Sequence, residues 1–406
     1  MAQIITGNSD LIKQVNRSLV LDLIRQRGPI SKADVKQITG LNFTTVTNAV
    51  KDLISQGLVQ EIGYGTSSGG RRPMLLTLNP EARYVIGCHL QSTELIVGLY
   101  DLVGRLLYSE SHSKLPADTP EMVVDRIRTG MYNLLAKAEV DIKKVEGMGV
   151  AAPGPLDAEN GVLYTPPNML GWHNVPLKQM LEQATGVPVF VDKDGNAAAV
   201  GEVWFGKGKG VRNLIFIIVD DGIGAGIVVH GQLYRGSNTG AGEIGHITID
   251  LDGPRCSCGN YGCLEAIASG FALVRKAGEA IRRGATSQLT PHLNNITLSQ
   301  LLTAADAGDK LACDLLEECG RLLGIAIANV VNMYNPELIV LGGKLIQHSP
   351  LVFHRAQELA HNRAFSVLAE KVRIIPATLG DKYLLAGAAA LVFTHLFRGP
   401  MNDLPA

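Results

Sequence analysis

One imidazole and three thiols fall within eighteen residues, spaced His246-x9-Cys256-x-Cys258-x4-Cys263. A Cys3His set suits tetrahedral zinc, and four protein ligands leave no open coordination position, so the predicted metal is structural. Gly253-Pro254, Gly259 and Gly262 supply the turns that a tight metal loop needs. The alternative is a loop of reduced, unliganded cysteines. Three further cysteines, Cys88, Cys313 and Cys319, sit in strand or helix patterns and read as core residues. In a chain whose start, MAQIITGNSD, lacks a basic-then-apolar secretion signal, clustered cysteines favour metal over disulfides.

A second group of residues suits nucleic acid. Thr44, Thr45, Thr47, Asn48 and Lys51 lie on the exposed side of a predicted helix. Asn pairs with adenine, Thr bonds a base or phosphate or touches a thymine methyl, and Lys suits phosphate or guanine. Downstream, Gly69-Gly70-Arg71-Arg72-Pro73 places two adjacent guanidinium groups on a hairpin tip. Arginine on an extended arm suits a narrow, electronegative minor groove. The plain alternatives are a solvated polar helix face and a solvated basic loop.

The elements that must carry these residues are readable from periodicity. Leu11, Val15, Leu19, Val20, Leu23 and Ile24 share one face of a helix over 11–27, which Gly28-Pro29 stops. Ser31 caps a short helix, SKADVKQIT, that ends at Gly40. A third helix, from about Thr44 to Gln56, buries Val46, Val50 and Leu53. LVQEIGY and MLLTL read as two strands around the glycine-rich tip. Three helices and a hairpin outline a winged helix-turn-helix. Charge is consistent with that reading: residues 1–80 carry nine Lys/Arg against five Asp/Glu, +4, whereas the remainder carries -5.

From Tyr84 the texture becomes α/β. YVIGCHL, ELIVGLYDL and RLLYSES form a strand meander, followed by a helix near 120–139, the strand VEGMGVAA, a loop over 153–176, a helix, the strand VPVFVD and a helix over 195–206. A second meander begins at LIFIIV, continues through GIVV and QLYRG, and leads to the cysteine cluster. Helices dominate 265–333; ELIVLGG and VRIIPA are further strands, and AGAAALVFTHLF closes the chain as a helix. Two meander-then-αβ units predict a duplicated α/β architecture with a cleft between its halves. No run of about 18 uncharged apolar residues is present, so no membrane span is expected.

Gly240-Ala-Gly-Glu-Ile-Gly-His246 followed by Cys256-Ser-Cys-Gly-Asn-Tyr-Gly-Cys-Leu-Glu265 resembles the signature of the ROK family (repressors, open reading frames, kinases). Similar family segments are Ala152-Pro-Gly-Pro-Leu-Asp157, Asp192-Lys-Asp-Gly-Asn-Ala-Ala-Ala199, Ile339-Val-Leu-Gly-Gly343 and Leu385-Ala-Gly-Ala-Ala-Ala390. The head ending in Gly-Gly-Arg-Arg-Pro resembles the repressor branch, that of the xylose and N-acetylglucosamine operon repressors. The resemblance implies two actin-like ATPase lobes of duplicated ribonuclease H-like fold, a sugar site in their cleft, and a homodimer or homotetramer. It divides the chain into a winged head, 1–80, a first lobe, 81–195 joined by about 385–406, and a second lobe, 196–384, bearing the zinc site.

By the same resemblance, Asp194 matches the residue that takes a proton from the attacking sugar hydroxyl in the family's kinases. Glu243, His246 and Glu265 match positions that hydrogen-bond sugar hydroxyls, and Asn168 is a further candidate. A zinc-bound His246 can offer its second ring nitrogen to a ligand, so that the metal fixes the ring that reads the sugar.

The kinase pattern fails at its phosphate loops. Asp-x-Gly-Gly-Thr is replaced by His89-Leu-Gln-Ser-Thr93, which loses both glycines and the metal-organising Asp. The second turn, Gly-Thr-Gly in the kinases, reads Asp221-Gly222-Ile223-Gly224, preceded by Asp220. A carboxylate about 5 Å from a phosphate charge costs roughly 3 kcal/mol at an effective dielectric near 20. The residue before Asp194, often Asn in the kinases, is Lys193, whose ammonium could pair with Asp194 or favour a phosphorylated or acidic sugar. The expectation is a cytoplasmic, sugar-responsive DNA-binding repressor without catalysis, acting on double-stranded operator DNA. The alternatives are an active sugar kinase with an accessory head and a regulator controlled mainly by a protein partner.

Overall fold

The computed structural model describes residues 9–65, 72–115, 117–166 and 169–398. By internal contacts the chain divides into two compact units, Met1–Asp192 with Ala388–Ala406, and Lys193–Gly387.

The head belongs to the first unit. Its elements are α1 (Ser9–Arg27), β1 (Ile30–Ser31), α2 (Lys32–Thr39), α3 (Phe43–Ser55), β2 (Val59–Tyr64) and β3 (Met74–Leu78). Ser31 and Asp34 form a reciprocal capping box at the start of α2, and Gly40 ends that helix in the left-handed conformation. Asn42 caps α3 by accepting the Thr45 N–H at 2.7 Å. The three helices and the sheet, in order β1-β3-β2, close over Val20, Ile24, Val35, Val46, Val50, Leu53 and Leu76. Sequence periodicity misses β1. Its two residues, paired with Leu76 and Leu75, are too short to show alternation, and Ser31 already reads as a cap.

The α/β part of the first unit contains β4 (Tyr84–Leu90), β5 (Glu94–Asp101), β6 (Leu106–Ser113), α4 (Pro120–Ala138), β7 (Val145–Ala152), β8 (Leu156–Asp157), β9 (Val162–Leu163), α5 (Leu177–Thr185) and β10 (Val189–Lys193). The main sheet runs β10-β7-β4-β5-β6. Every residue of β4 is buried, as expected of a central strand covered on both faces.

The second unit contains α6 (Asp194–Phe205), β11 (Leu214–Val219), β12 (Ile223–Val229), β13 (Gln232–Tyr234), α7 (Leu264–Ala268), α8 (Gly270–Arg282), α9 (Leu298–Asp306), α10 (Lys310–Tyr334), β14 (Leu338–Gly342), α11 (Lys344–His348), α12 (Pro350–Arg363), α13 (Ser366–Ala369) and β15 (Arg373–Pro376). The last helix, α14 (Tyr383–Arg398), begins in this unit and ends in the first. The sheet runs β13-β12-β11-β14-β15, with the β13-β12-β11 meander antiparallel and β11-β14-β15 parallel. Strand for strand this is the order β6-β5-β4-β7-β10 of the first sheet, so the two meander-then-αβ segments are one topology used twice. Among the described residues no helix is long and apolar enough to cross a membrane.

Ser31 ties the start of α2 to the β1–β3 pair. Ser31→Ala is expected to destabilise the protein by about 1 kcal/mol, and Ser31→Asp to retain most of that. Urea unfolding reads the difference as a midpoint shift at constant slope; equal midpoints for all three proteins would contradict the capping role.

Candidate functional site

The second unit gathers the side chains of its candidate site along one stretch of strand, Ile223–Ala225 of β12. Three glycines on two segments press their backbones onto it. A Cβ on Gly195, in the first turn of α6, would stand 2.6 Å from the Ala225 carbonyl carbon. On Gly242 it would stand 2.1 Å from the Ala225 oxygen, and on Gly245 2.2 Å from the Ile223 oxygen. Only glycine fits such approaches. The Ala225 N–H donates to the Gly242 carbonyl at 2.9 Å. From α7, Glu265 accepts the Ile223 N–H through Oε2 at 2.9 Å. Asp194, Glu243, His246 and Glu265 are thereby carried on elements docked to the same strand segment.

Glu243 and His246 flank a single turn of 3-10 helix, Ile244–His246. His246 Nδ1 lies 3.6 Å from Cys256 Sγ, and Cys258 Sγ lies 3.7 Å from Cys263 Sγ. The four donor atoms of His246, Cys256, Cys258 and Cys263 all fall within 4.8 Å of one another. The loop that holds them is tied by its backbone, with Ile249 N–H to Gly262 O at 2.8 Å and Leu264 N–H to Ile247 O at 3.0 Å. Burial is the largest influence on the Cys263 thiol and pushes it up to about 12. A bound divalent cation would supply the opposing charge that favours thiolate. The cluster can therefore hold a metal, and Nδ1 on the sulfur side leaves Nε2 of His246 for another partner.

Charge around the turn is unevenly matched. Lys193, buried at the N-cap of α6, donates to Glu243 Oε1 at 2.7 Å and to the Ala241 carbonyl at 2.8 Å. The ammonium thus goes to a residue fifty positions away, where the sequence suggested its neighbour Asp194. The Glu243 side chain remains 47 % exposed. Asp194 Oδ1 is buried and has no hydrogen-bond partner among the described residues. Burial first, and the charge of Asp220 second, raise the Asp194 carboxyl to about 7. Asp220 is itself raised by burial, with Lys344 at 3.6 Å opposing that shift.

The two segments that the sequence aligns with phosphate loops are closed by internal bonds. Asp220 Oδ1 accepts the Asp221 N–H at 3.0 Å, and the Asp220 carbonyl accepts the Gly270 N–H at 2.8 Å. In the first unit, residues 91–94 close as a plain strand turn, Gln91 N–H to Glu94 O at 2.8 Å. The carbonyl of Ser92 accepts from Lys114 Nζ at 3.4 Å. His89 is buried at the end of β4.

In the head, α3 buries Val46, Ala49, Val50 and Leu53. Thr44, Asn48 and Lys51 are exposed on the opposite side. Thr45 and Thr47 are half-buried, and the Thr47 hydroxyl donates back to the Phe43 carbonyl at 2.8 Å. Arg72 is exposed just before β3, whereas Arg71 and Asn168 lie outside the described residues. The sequence reading began this helix at Thr44, and so missed both the Asn42 cap and the exposed Phe43.

An acid with a higher pKa in the folded state binds more protons there, so its ionisation costs stability as pH rises from the ordinary carboxyl range toward the folded value. The Asp194→Asn variant is therefore expected to melt higher than the wild type at about pH 8, with the gap shrinking toward about pH 4. A gap independent of pH, measured by thermal denaturation, would contradict the shifted carboxyl.

Comparison with known proteins agrees with this geometry. Residues 85–395 match the model of the ROK family. The chain is 34% identical over 396 residues to the xylose repressor of Caldicellulosiruptor bescii, covering 97% of this chain and 99% of that one. A solved ROK family transcriptional regulator, described as a homolog of the Escherichia coli MLC protein, superposes with a TM-score of 0.83 at 30% identity, covering 97% of this chain and 98% of that one. A ROK glucokinase from Streptomyces griseus, solved with glucose and AMPPNP, matches with a TM-score of 0.67 at 32% identity over 76% of this chain and 98% of that one. The kinase match covers about three quarters of this chain, whereas the regulators match nearly end to end. The chain belongs to the ROK family.

Proposed function

We propose that this protein is a sugar-responsive DNA-binding transcriptional repressor of carbohydrate-metabolism genes. The observation that carries the reading is the pairing of a helix-turn-helix head with a body whose sugar-type residues are assembled while its phosphate-loop positions carry other chemistry. The full-length likeness to repressors supports it. In this reading residues 1–80 are the DNA-reading head. Thr44, Asn48 and Lys51 meet the major groove, with Thr45 and Thr47 beside them, and Arg71 and Arg72 enter the minor groove. The protein works in the cytoplasm on double-stranded operator DNA, as a homodimer or homotetramer, so operators are expected to carry repeated half-sites.

Asp194, Glu243, His246 and Glu265, with Asn168, bind the hydroxyls of an effector sugar. Lys193 is engaged with Glu243, and the carboxyls of Asp194, Asp220 and Asp221 in the same unit offer a phosphate no compensating cation. This balance favours a neutral sugar over a phosphorylated one. Two carboxylates replace the second phosphate turn, and a plain strand turn replaces the first, so the reading assigns no phosphoryl transfer. Sugar binding changes DNA affinity only if the ligand binds the DNA-competent and DNA-incompetent states differently.

Zinc is the metal assigned to His246, Cys256, Cys258 and Cys263. Tetrahedral zinc with bonds of about 2.3 Å sets sulfur–sulfur edges of about 3.8 Å, close to the 3.7 Å between Cys258 and Cys263. The metal would fix the His246 ring and the turn that carries Glu243, and it supplies no chemical step. Purified protein is expected to hold about one zinc per chain by elemental analysis. Cys258→Ser should lower that content and the melting temperature together; full zinc occupancy in the variant would contradict the ligand set.

Fluorescence anisotropy with a duplex selected from a randomised pool, titrated with a panel of sugars, tests the function. At least one sugar should shift the wild-type affinity, and Glu243→Ala should abolish that shift while leaving sugar-free DNA binding unchanged. Sugar-dependent ADP release that Asp194→Asn abolishes would instead establish the kinase reading. The absence of specific DNA binding under all conditions would refute the repressor.

A further inference from the structure

Phe43 is the first residue of α3 and is 52 % exposed. The helix does not need it for its core, since Val46, Ala49, Val50 and Leu53 already fill the buried face. An aromatic ring left in water forfeits the free energy that its burial would release. On α3 it stands one turn before Thr47, and it borders the exposed stripe of Thr44, Asn48 and Lys51, which themselves follow helical spacing.

The polar groups nearest to it are already used within the head. Asn42 spends its side-chain oxygen on the Thr45 N–H, and Thr47 spends its hydroxyl proton on the Phe43 carbonyl. The leading end of the helix therefore offers an apolar ring beside Thr44, with the polar readers Asn48 and Lys51 following one and two turns later. In a helix-turn-helix this leading end meets base edges. The major-groove edges of the four base pairs present one apolar group, the 5-methyl of thymine.

We propose that Phe43 is a specificity-determining residue that packs its ring against a thymine methyl in the major groove. The proposal rests on the reading of α3 as the helix that enters that groove. It gives the head an apolar contact next to its hydrogen-bonding ones, so that thymine is distinguished from cytosine by shape at one position of each half-site.

The test uses the full-length protein and duplexes selected from a randomised pool, first with wild type and then with Phe43→Ala. The wild-type consensus is expected to contain a thymine at which the variant shows no preference. Replacing that thymine by deoxyuridine, which lacks only the methyl, should weaken wild-type binding about fourfold per half-site. The same replacement should leave Phe43→Ala unaffected. Equal loss of affinity by Phe43→Ala on thymine and deoxyuridine duplexes would overturn the proposal, because it would mark a contact other than the methyl. Asn48→Ala and Lys51→Ala separate the two levels of the argument. If they relax the consensus while Phe43→Ala keeps it, the methyl contact fails and the assignment of α3 stands. If none of the three alters it, the assignment of α3 fails as well. Circular dichroism of Phe43→Ala should match wild type, since the ring is outside the core.

Discussion

The approach of three glycines, on α6 and on the turn after Ala241, to residues 223–225 of β12 is the constraint on which the ligand-type residues of this protein depend. Gly195, Gly242 and Gly245 each sit where a Cβ would overlap a strand carbonyl or its carbon. A methyl at any of these positions pushes α6 or the Glu243–His246 turn off the strand. Glu265 completes the arrangement by taking the Ile223 N–H. Four side chains from segments spread over some seventy residues are thereby located by contacts to three. The metal-type cluster extends this, since His246 is both the end of the docked turn and a member of the Cys3His set.

Electrostatics then distinguishes what the scaffold can hold. A phosphoryl-transfer site needs donors and cations where negative charge accumulates. Here the corresponding turn carries Asp220 and Asp221, and Asp194 is raised by burial and by Asp220. Lys344 stands 3.6 Å from Asp220, and Lys193 is joined to Glu243. These cations are engaged with carboxylates of the same unit. In the proposed reading this environment suits a neutral polyol better than a nucleoside triphosphate. The head carries the opposite bias, +4 over residues 1–80 against -5 over the rest, which suits phosphate backbones at that end of the chain.

Much of this was legible in the sequence because it is local. The Cys-x-Cys…Cys spacing, the Ser31 cap, the Gly40 stop and the paired meanders all act within a few residues, where type and interval determine geometry. What escaped depends on distance along the chain. Lys193 pairs with Glu243, fifty positions on, and not with the neighbour that sequence proximity suggested. The bond from Ile223 to Glu265 spans forty-two positions, and no periodicity encodes it. β1 was hidden by brevity, and Phe43 because the helix was read as starting one residue later, at Thr44. On α3 the pattern separated the polar face from the buried one. It did not show that the Thr47 hydroxyl turns back to the helix.

In the proposed reading a metal-fixed turn, docked on β12, reads a sugar. Isothermal titration calorimetry of the full-length protein with the responding sugar, before and after removal of the metal by a chelator, tests it most directly. Loss of the metal is expected to weaken sugar binding at least tenfold, the scale on which disturbing metal-centre supports acts, and re-addition of zinc should restore it. Unchanged sugar affinity in the metal-free protein would contradict the account.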